Sequence, residues 1–348
     1  MKFGNFLFPE SRDPAQDGAV IDDTLREAVL SEELGLDAIW LSEHHFDGNS
    51  VYADPLAFAA ALAMATRRAL LGFAVIQTSL YHPIRLAEQL ALLDHLSKGR
   101  LLIGLGRGTF FNIYEYEGYG LDPEEAQARF EEAEEILLKA WTRDGFEHQG
   151  RFWNLRVPAL RPLPHTKPHP EIYRSSSSEE SLLRLGRQGR LILINASSNA
   201  VTRQRVEVYR RGLREAGLDD AEIAARIGKI WVWRTIYVGE HDEEAEAVGR
   251  PAFVDMIAYR GSLREQIRRE RGVILSPDRA PGLDGFICGG PATVTANLAE
   301  LADIGIAGAL MQFRLGGVPY EMTAASLERF ARRVAPELRQ ASRATPSA

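Results

Sequence analysis

Residues 70–105 read LLGFAVIQTSLYHPIRLAEQLALLDHLSKGRLLIGL, and this stretch sets the architecture. An apolar run at 70–77 leads into a helix expected over 83–96, and a second apolar run follows at 101–105. Pro83 suits the first turn of a helix, where its missing N–H would have no partner anyway. Leu86, Leu90 and Leu93 recur at three- and four-residue steps, which marks one buried helical face. Gly99 offers a left-handed stop. The flanking runs are apolar throughout rather than alternating. That is the pattern of strands covered on both faces, as in a parallel sheet.

The same unit repeats in both directions. Upstream, strands at 3–8 and 38–41 precede helices at 21–34 and 55–66. Downstream, a helix at 123–141 starts at Pro123 behind the cap Asp122, with Glu125 completing a capping pattern. Its residues Ala126, Phe130, Ala133, Leu137 and Ala140 form one buried face. Strands at 172–174, 191–194, 230–238 and 309–313 then pair with helices at 179–187, 202–216, 292–303 and 324–334. Eight such pairs predict an α/β fold of the closed (β/α)8 TIM barrel type, one domain over 1–335. Three segments break the rhythm. Residues 146–155 predict a hairpin turned at Gln149-Gly150, and 158–170 a proline-rich extended stretch. Residues 239–285 form a long polar insertion between strand seven and its helix, where active-site lids occur. Residues 336–348 are expected to be a frayed tail.

The chain has 348 residues, 45% hydrophobic and 26% charged, with a formal net charge of −7. That allows a large core and argues against wholesale disorder. An acidic balance disfavours non-specific nucleic-acid binding but leaves room for a local basic pocket around one phosphate. Cys288 is the one cysteine, so no internal disulfide or cysteine zinc cluster can form. The first residues carry one positive charge and an apolar run broken by Gly4 and Asn5, unlike a signal peptide. No apolar run reaches the roughly 18 residues of a membrane span. The expectation is a cytoplasmic protein with no nucleic-acid or membrane partner.

Four clusters carry candidate chemistry. Glu43-His44-His45-Phe46 follows the second strand, at the C-terminal rim where such barrels hold their sites. Two imidazoles and a carboxylate suit proton transfer or a metal. Successive strand residues point to opposite faces, so the two histidines share an ion poorly unless the strand has ended. A hydrogen-bonded packing histidine is the plain alternative. In Tyr81-His82-Pro83, His82 is either a pocket residue or a loop residue ahead of the helix. Gly104-Leu105-Gly106-Arg107-Gly108-Thr109 ends the fourth strand. Its glycines let a ligand approach the backbone, and Arg107 offers a fork of donors suited to phosphate. A tight rim with a surface arginine is the alternative there. Ser175-Ser176-Ser177-Ser178-Glu179-Glu180-Ser181 leads into a helix whose start is either an anion site or simply capped by Ser178. If Arg107 and this helix start occupy neighbouring rims, one phosphate is held from two sides.

The run Leu36-Asp37-Ala38-Ile39-Trp40-Leu41-Ser42-Glu43-His44-His45-Phe46 resembles the second strand of bacterial-luciferase-like flavin monooxygenases. His82-Pro83-Ile84-Arg85-Leu86-Ala87-Glu88-Gln89, Leu92-Leu93-Asp94-His95-Leu96-Ser97-Lys98-Gly99-Arg100 and the 104–108 segment are similar to the same family. The resemblance implies a homodimeric barrel that binds FMN at its C-terminal rim. It makes His44 the catalytic histidine and assigns the FMN phosphate to Arg107, Ser177, Ser178 and Ser181. It sets Ala74 and Val75 on either side of a non-prolyl cis peptide under the isoalloxazine ring. Glu43, His45, His82 and Gly106 fall around the substrate.

The implied chemistry is oxygenation of a small organic substrate by O2 and reduced FMN, through a flavin peroxide, with a separate reductase supplying the flavin. The alternatives are a deazaflavin-dependent hydride transferase on the same barrel, a non-catalytic flavin-binding subunit, and a metal-dependent hydrolase using His44, His45 and His82. Two departures stand out. Luciferase catalytic subunits carry a reactive cysteine where this chain has Gly106, and the carboxylate expected a few residues later falls near Asn112. Both predict a wider, less polar pocket, against light emission and a long aldehyde substrate. Ala57, Ala59, Ala60, Ala61 and Ala63 would allow close packing against a second subunit.

Overall fold

Each long apolar run becomes a strand with one face inside a barrel and the other under helices, which is why both faces are hydrophobic. The computed structural model describes residues 1–108, 112–176, 178–271 and 283–344. Its strands are β1 (Lys2–Leu7), β2 (Ala38–Leu41), β3 (Leu70–Gln77), β4 (Leu101–Gly106), β5 (Phe146–Gln149), β6 (Asn154–Val157), β7 (Glu171–Ser176), β8 (Leu191–Ile194), β9 (Trp231–Val238), β10 (Phe286–Gly289) and β11 (Gly308–Gln312). Parallel pairing runs β1-β2-β3-β4-β7-β8-β9-β11 and returns from β11 to β1, closing an eight-stranded (β/α)8 barrel. Strand β10 adds in parallel to the C-terminal end of β9.

The helices are α1 (Asp17–Glu33), α2 (Pro55–Ala65), α3 (Pro83–Ser97), α4 (Ile113–Gly118), α5 (Ala126–Thr142), α6 (Glu179–Arg187), α7 (Asn199–Glu215), α8 (Asp220–Ile227), α9 (Asp242–Arg271), α10 (Pro291–Ala302), α11 (Tyr320–Arg329) and α12 (Ala335–Ala344). Phe6, Trp40, Leu102, Tyr173, Leu193, Trp231 and Leu310 fill the barrel interior. The Trp40 and Trp231 rings meet edge-on, their centroids 5.2 Å apart. This plug requires Gly72, because a methyl group there would collide with the Trp40 ring. Two larger apolar clusters lie between the barrel and its helices.

The hairpin β5–β6 forms where the sequence predicts it and pairs antiparallel. Glu132 of α5 fastens its turn by accepting the Arg151, Phe152 and Trp153 backbone N–H groups at 3.1, 3.1 and 3.0 Å. Burial works against that carboxylate, but the backbone donors and His148 hold its pKa below the usual range.

Two segments differ from expectation. Most of the 239–285 insertion is one helix, α9, of 30 residues, followed by the strand β10. Pro251 inside the helix and a largely charged surface hide it in the sequence. Its start carries Asp242, Glu243 and Glu244, which favour a helix N-terminus, and Phe253 and Met256 are buried against Tyr237 and Leu315. The segment read as frayed from residue 336 is helix α12 as far as Ala344. Leu338 is buried there, and Arg339 donates to the Gly35 carbonyl at 2.8 Å.

Candidate functional site

Strand β2 ends at Leu41, so the residues after it are free of strict alternation, and Phe46 takes a left-handed φ of 59°. The result separates the two histidines. The His44 ring packs on Phe8, with centroids 5.1 Å apart, and keeps 21% side-chain exposure. Its Nδ1 lies 3.3 Å from Glu115 Oε1. The same oxygen accepts the His45 backbone N–H at 3.1 Å and the Asn112 side-chain amide at 3.1 Å. Glu115 is fully buried. Among the described residues, His44 Nε2 has no hydrogen-bond partner.

His45 and Glu43 are bonded to one another and to the surrounding rim. His45 Nε2 bonds Glu43 Oε1 at 2.8 Å, and its Nδ1 meets the Tyr119 hydroxyl at 3.2 Å. Glu43 also accepts the Tyr81 hydroxyl at 2.8 Å and the Gln77 backbone N–H at 2.7 Å. Both are buried, and their bonds brace the rim. Burial opposes charge on the His45 ring, but the Glu43 hydrogen bond and charge, with Glu115, hold its pKa above the ordinary value. Burial and then the Glu43 charge push the Tyr81 hydroxyl far up. His82 is exposed, and its side chain does not cap α3 or bond to this cluster.

At the end of β3 the Ala74–Val75 peptide is cis, and the β3–β4 register shifts between Phe73 and Ile76. Val75 then fills the space opposite Gly106: a methyl carbon on Gly106 would fall 2.5 Å from Val75 Cγ2. The room expected at Gly106 is therefore narrowed. Valine occupies the room, and Asn112 and Glu115 supply buried polarity nearby. Gly108, at φ +86°, leaves no space for a side chain beside Gln77 and Tyr116.

Arg107 follows β4, exposed, with no acidic partner among the described residues. Burial raises the neighbouring Tyr116 phenol to about 12, and the Arg107 charge pulls the other way. Strand β4 pairs with β7, with Leu105 opposite Arg174, so Arg107 and the start of α6 leave the barrel on adjacent rims. Ser178 caps α6, its hydroxyl accepting the Ser181 N–H at 3.3 Å. Ser177 lies outside the described residues, as do 109–111. A separate cavity of about 580 Å³ lies between α5 and α6 on the barrel exterior, lined by Glu131, Glu134, Arg174, Arg184 and Arg190. Its arginines are paired with its glutamates.

Sequence reasoning missed Glu115, Phe8 and α9. Residues Asn112 and Glu115 have the spacing of a helix cap, and that signal was present. The structure turns both side chains toward His44 instead of the backbone. From α9, Arg260 lies over the Phe8 ring at 4.0 Å and pairs with buried Glu10. Burial outweighs Arg260 in raising the Glu10 pKa. Met256 Sδ meets Gln312 Nε2 at 3.5 Å, so α9 roofs the β9–β11 side of the mouth. Among the described residues, no group of three or more His, Cys, Asp or Glu side chains is placed to hold a metal ion, and no helix is long and apolar enough to cross a membrane.

The closed parallel barrel thus carries an imidazole, an exposed arginine and a helix start on one rim. The family model for luciferase-like monooxygenase matches residues 1–308, and the chain belongs to that family. Limonene 1,2-monooxygenase of Rhodococcus erythropolis is 26% identical over 295 residues, 84% of this chain and 73% of that protein. The oxygenase component of flavin-dependent trigonelline monooxygenase from Acinetobacter baylyi is 30% identical, covering 52% of this chain and 50% of its own length. The crystal structure of monooxygenase RslO1 from Streptomyces bottropensis superposes with a TM-score of 0.82 at 26% identity, covering 97% of this chain and 99% of that one.

Proposed function

We propose that this chain is the oxygenase component of a two-component flavin monooxygenase, taking reduced FMN from a separate reductase and oxygenating a small organic substrate. The observation that carries the reading is the bare Arg107 on the rim next to the α6 start, with His44 on the same mouth. An exposed guanidinium with no acidic partner is suited to a phosphate, which it can grip with two parallel bonds. Buried polar atoms without protein partners at Gln77 Oε1, Asn112 Oδ1 and Glu115 Oε2 fit a ligand that brings donors to this mouth.

Arg107, Ser178, Ser181 and Ser177 would hold the phosphate, with the α6 dipole assisting. Ala74 and Val75 would form the floor beneath the ring. Reduced FMN supplies the electrons that activate O2, one oxygen atom going to substrate and the other to water. His44 Nε2 takes or gives the proton that this requires. Phe8 and the α9 roof keep water from the reacting groups. A second copy would pack on the outer face of α2 and α3, where Met64 and Leu92 are 59% and 51% exposed beside Ala57 and Ala61.

Oxygen uptake with reductase-supplied reduced FMN, across a panel of small organic substrates, tests the reading. The expected result is FMN binding and substrate-dependent oxygen incorporation. Binding of reduced deazaflavin alone, with substrate reduction in the absence of oxygen, would replace this reading with hydride transfer.

A further inference from the structure

We infer that Glu115, with Asn112, is the positioning pair that fixes the tautomer of His44, so that Nε2 is its unprotonated, ligand-facing nitrogen. This rests on the reading of His44 as the proton-handling group. Glu115 reaches His44 from α4, 71 residues on in the chain. Its Oε1 collects three contacts: His44 Nδ1 at 3.3 Å, the His45 N–H at 3.1 Å and the Asn112 amide at 3.1 Å. The His45 and Asn112 bonds leave the carboxylate little freedom to turn away, and Glu115 is fully buried.

Two groups compete for His44 Nδ1. The Asn112 amide nitrogen is 3.4 Å away and could only donate to it, whereas the carboxylate can only accept from it. Asn112 already gives one N–H to Glu115 at 3.1 Å, and for Nδ1 the carboxylate oxygen at 3.3 Å is both the nearer and the stronger, charge-assisted partner. The carboxylate therefore sets the outcome: Nδ1 carries the hydrogen and Nε2 carries the lone pair. When Nε2 takes a proton, the same carboxylate stabilises the imidazolium, the role of the third group in a nucleophile–base–acid triad. Phe8 packs on the ring, with centroids 5.1 Å apart. Exchanging Nδ1 and Nε2 would turn the lone pair away from the mouth.

The test is a long-range ¹H–¹⁵N correlation spectrum of the full chain with ¹⁵N-labelled histidine, recorded without flavin. The His44 signals are identified by their loss in His44→Gln. The expected spectrum shows His44 as the Nδ1–H tautomer, with Glu115→Gln moving it toward a mixture or toward Nε2–H. Wild type in the Nε2–H form, or a Glu115→Gln spectrum unchanged at His44, would overturn the proposal. The wild-type spectrum decides even if the variant does not fold, and no flavin is needed, so failure of the flavin reading would not be mistaken for failure of this one. In turnover, Glu115→Gln should lose about 10²-fold in kcat with flavin affinity held within about threefold, and Glu115→Asp should recover part of the loss. Equal losses in affinity and kcat for Glu115→Gln would show a merely structural role.

Discussion

On the β2 side of the rim, His44 is held by Glu115, Asn112 and Phe8, and His45 by Glu43 and Tyr119. On the β4–β7 side, Arg107 meets no acid among the described residues, and the Ser178 hydroxyl caps its own helix. One side is a largely buried hydrogen-bonded network; the other presents a charge without an acidic partner among the described residues, and a helix start, to solvent. A proton-transferring ring works only in one orientation, so the protein supplies the partners that fix it. An anion grip must stay open, because an internal carboxylate would compete with the ligand. Changes on the first side should therefore damage turnover or folding, and changes on the second should damage binding alone.

The largest effect is expected from His44→Ala, a loss of about 10³-fold in product formation with reduced-FMN affinity within about threefold, measured by single-turnover kinetics beside equilibrium binding. Full turnover would remove His44 from the chemistry. Glu43→Ala leaves three buried or half-buried donors without an acceptor and should cost about 3 kcal/mol in denaturant unfolding. A loss below about 1 kcal/mol would mean that the network does not brace the rim. Gly106→Ala presses against Val75 and should cost about 2 kcal/mol; an unchanged melting temperature would mean that β3 yields easily.

The smallest effect concerns pH. The His45 pKa is raised in the folded state, so its bond to Glu43 stabilises fully below the unfolded value of about 6.5 and less as pH rises through the folded value. The melting-temperature gap between wild type and His45→Gln should therefore narrow from acid to alkaline pH. A gap that widens instead would contradict the raised pKa.

The barrel was legible because parallel strands announce themselves as apolar runs: Leu191–Ile194 is buried at every position. The four rim clusters were legible as residue types after strands. Their side-chain directions were not, since β2 stops at Leu41 and the positive φ at Phe46 re-aims the chain. That is why His45 and Glu43, expected around the substrate, lie buried. Glu115 reads locally as a cap and gains its role only when the fold brings β2 and α4 together. Pro251 and surface charge concealed α9, whose buried residues are few among those described. Val75 occupies the volume opposite Gly106 because of a register shift that no pattern of residues announces.

The proposed division between an open anion grip and a braced proton-handling side is tested most directly by anaerobic titration of reduced FMN into wild type and Arg107→Ala. Removing the guanidinium should weaken binding by about 10²-fold, near 3 kcal/mol, and leave thermal stability nearly unchanged, since the Arg107 side chain has no acidic partner among the described residues. Equal affinity in the two proteins would contradict the assignment of this rim to the flavin phosphate.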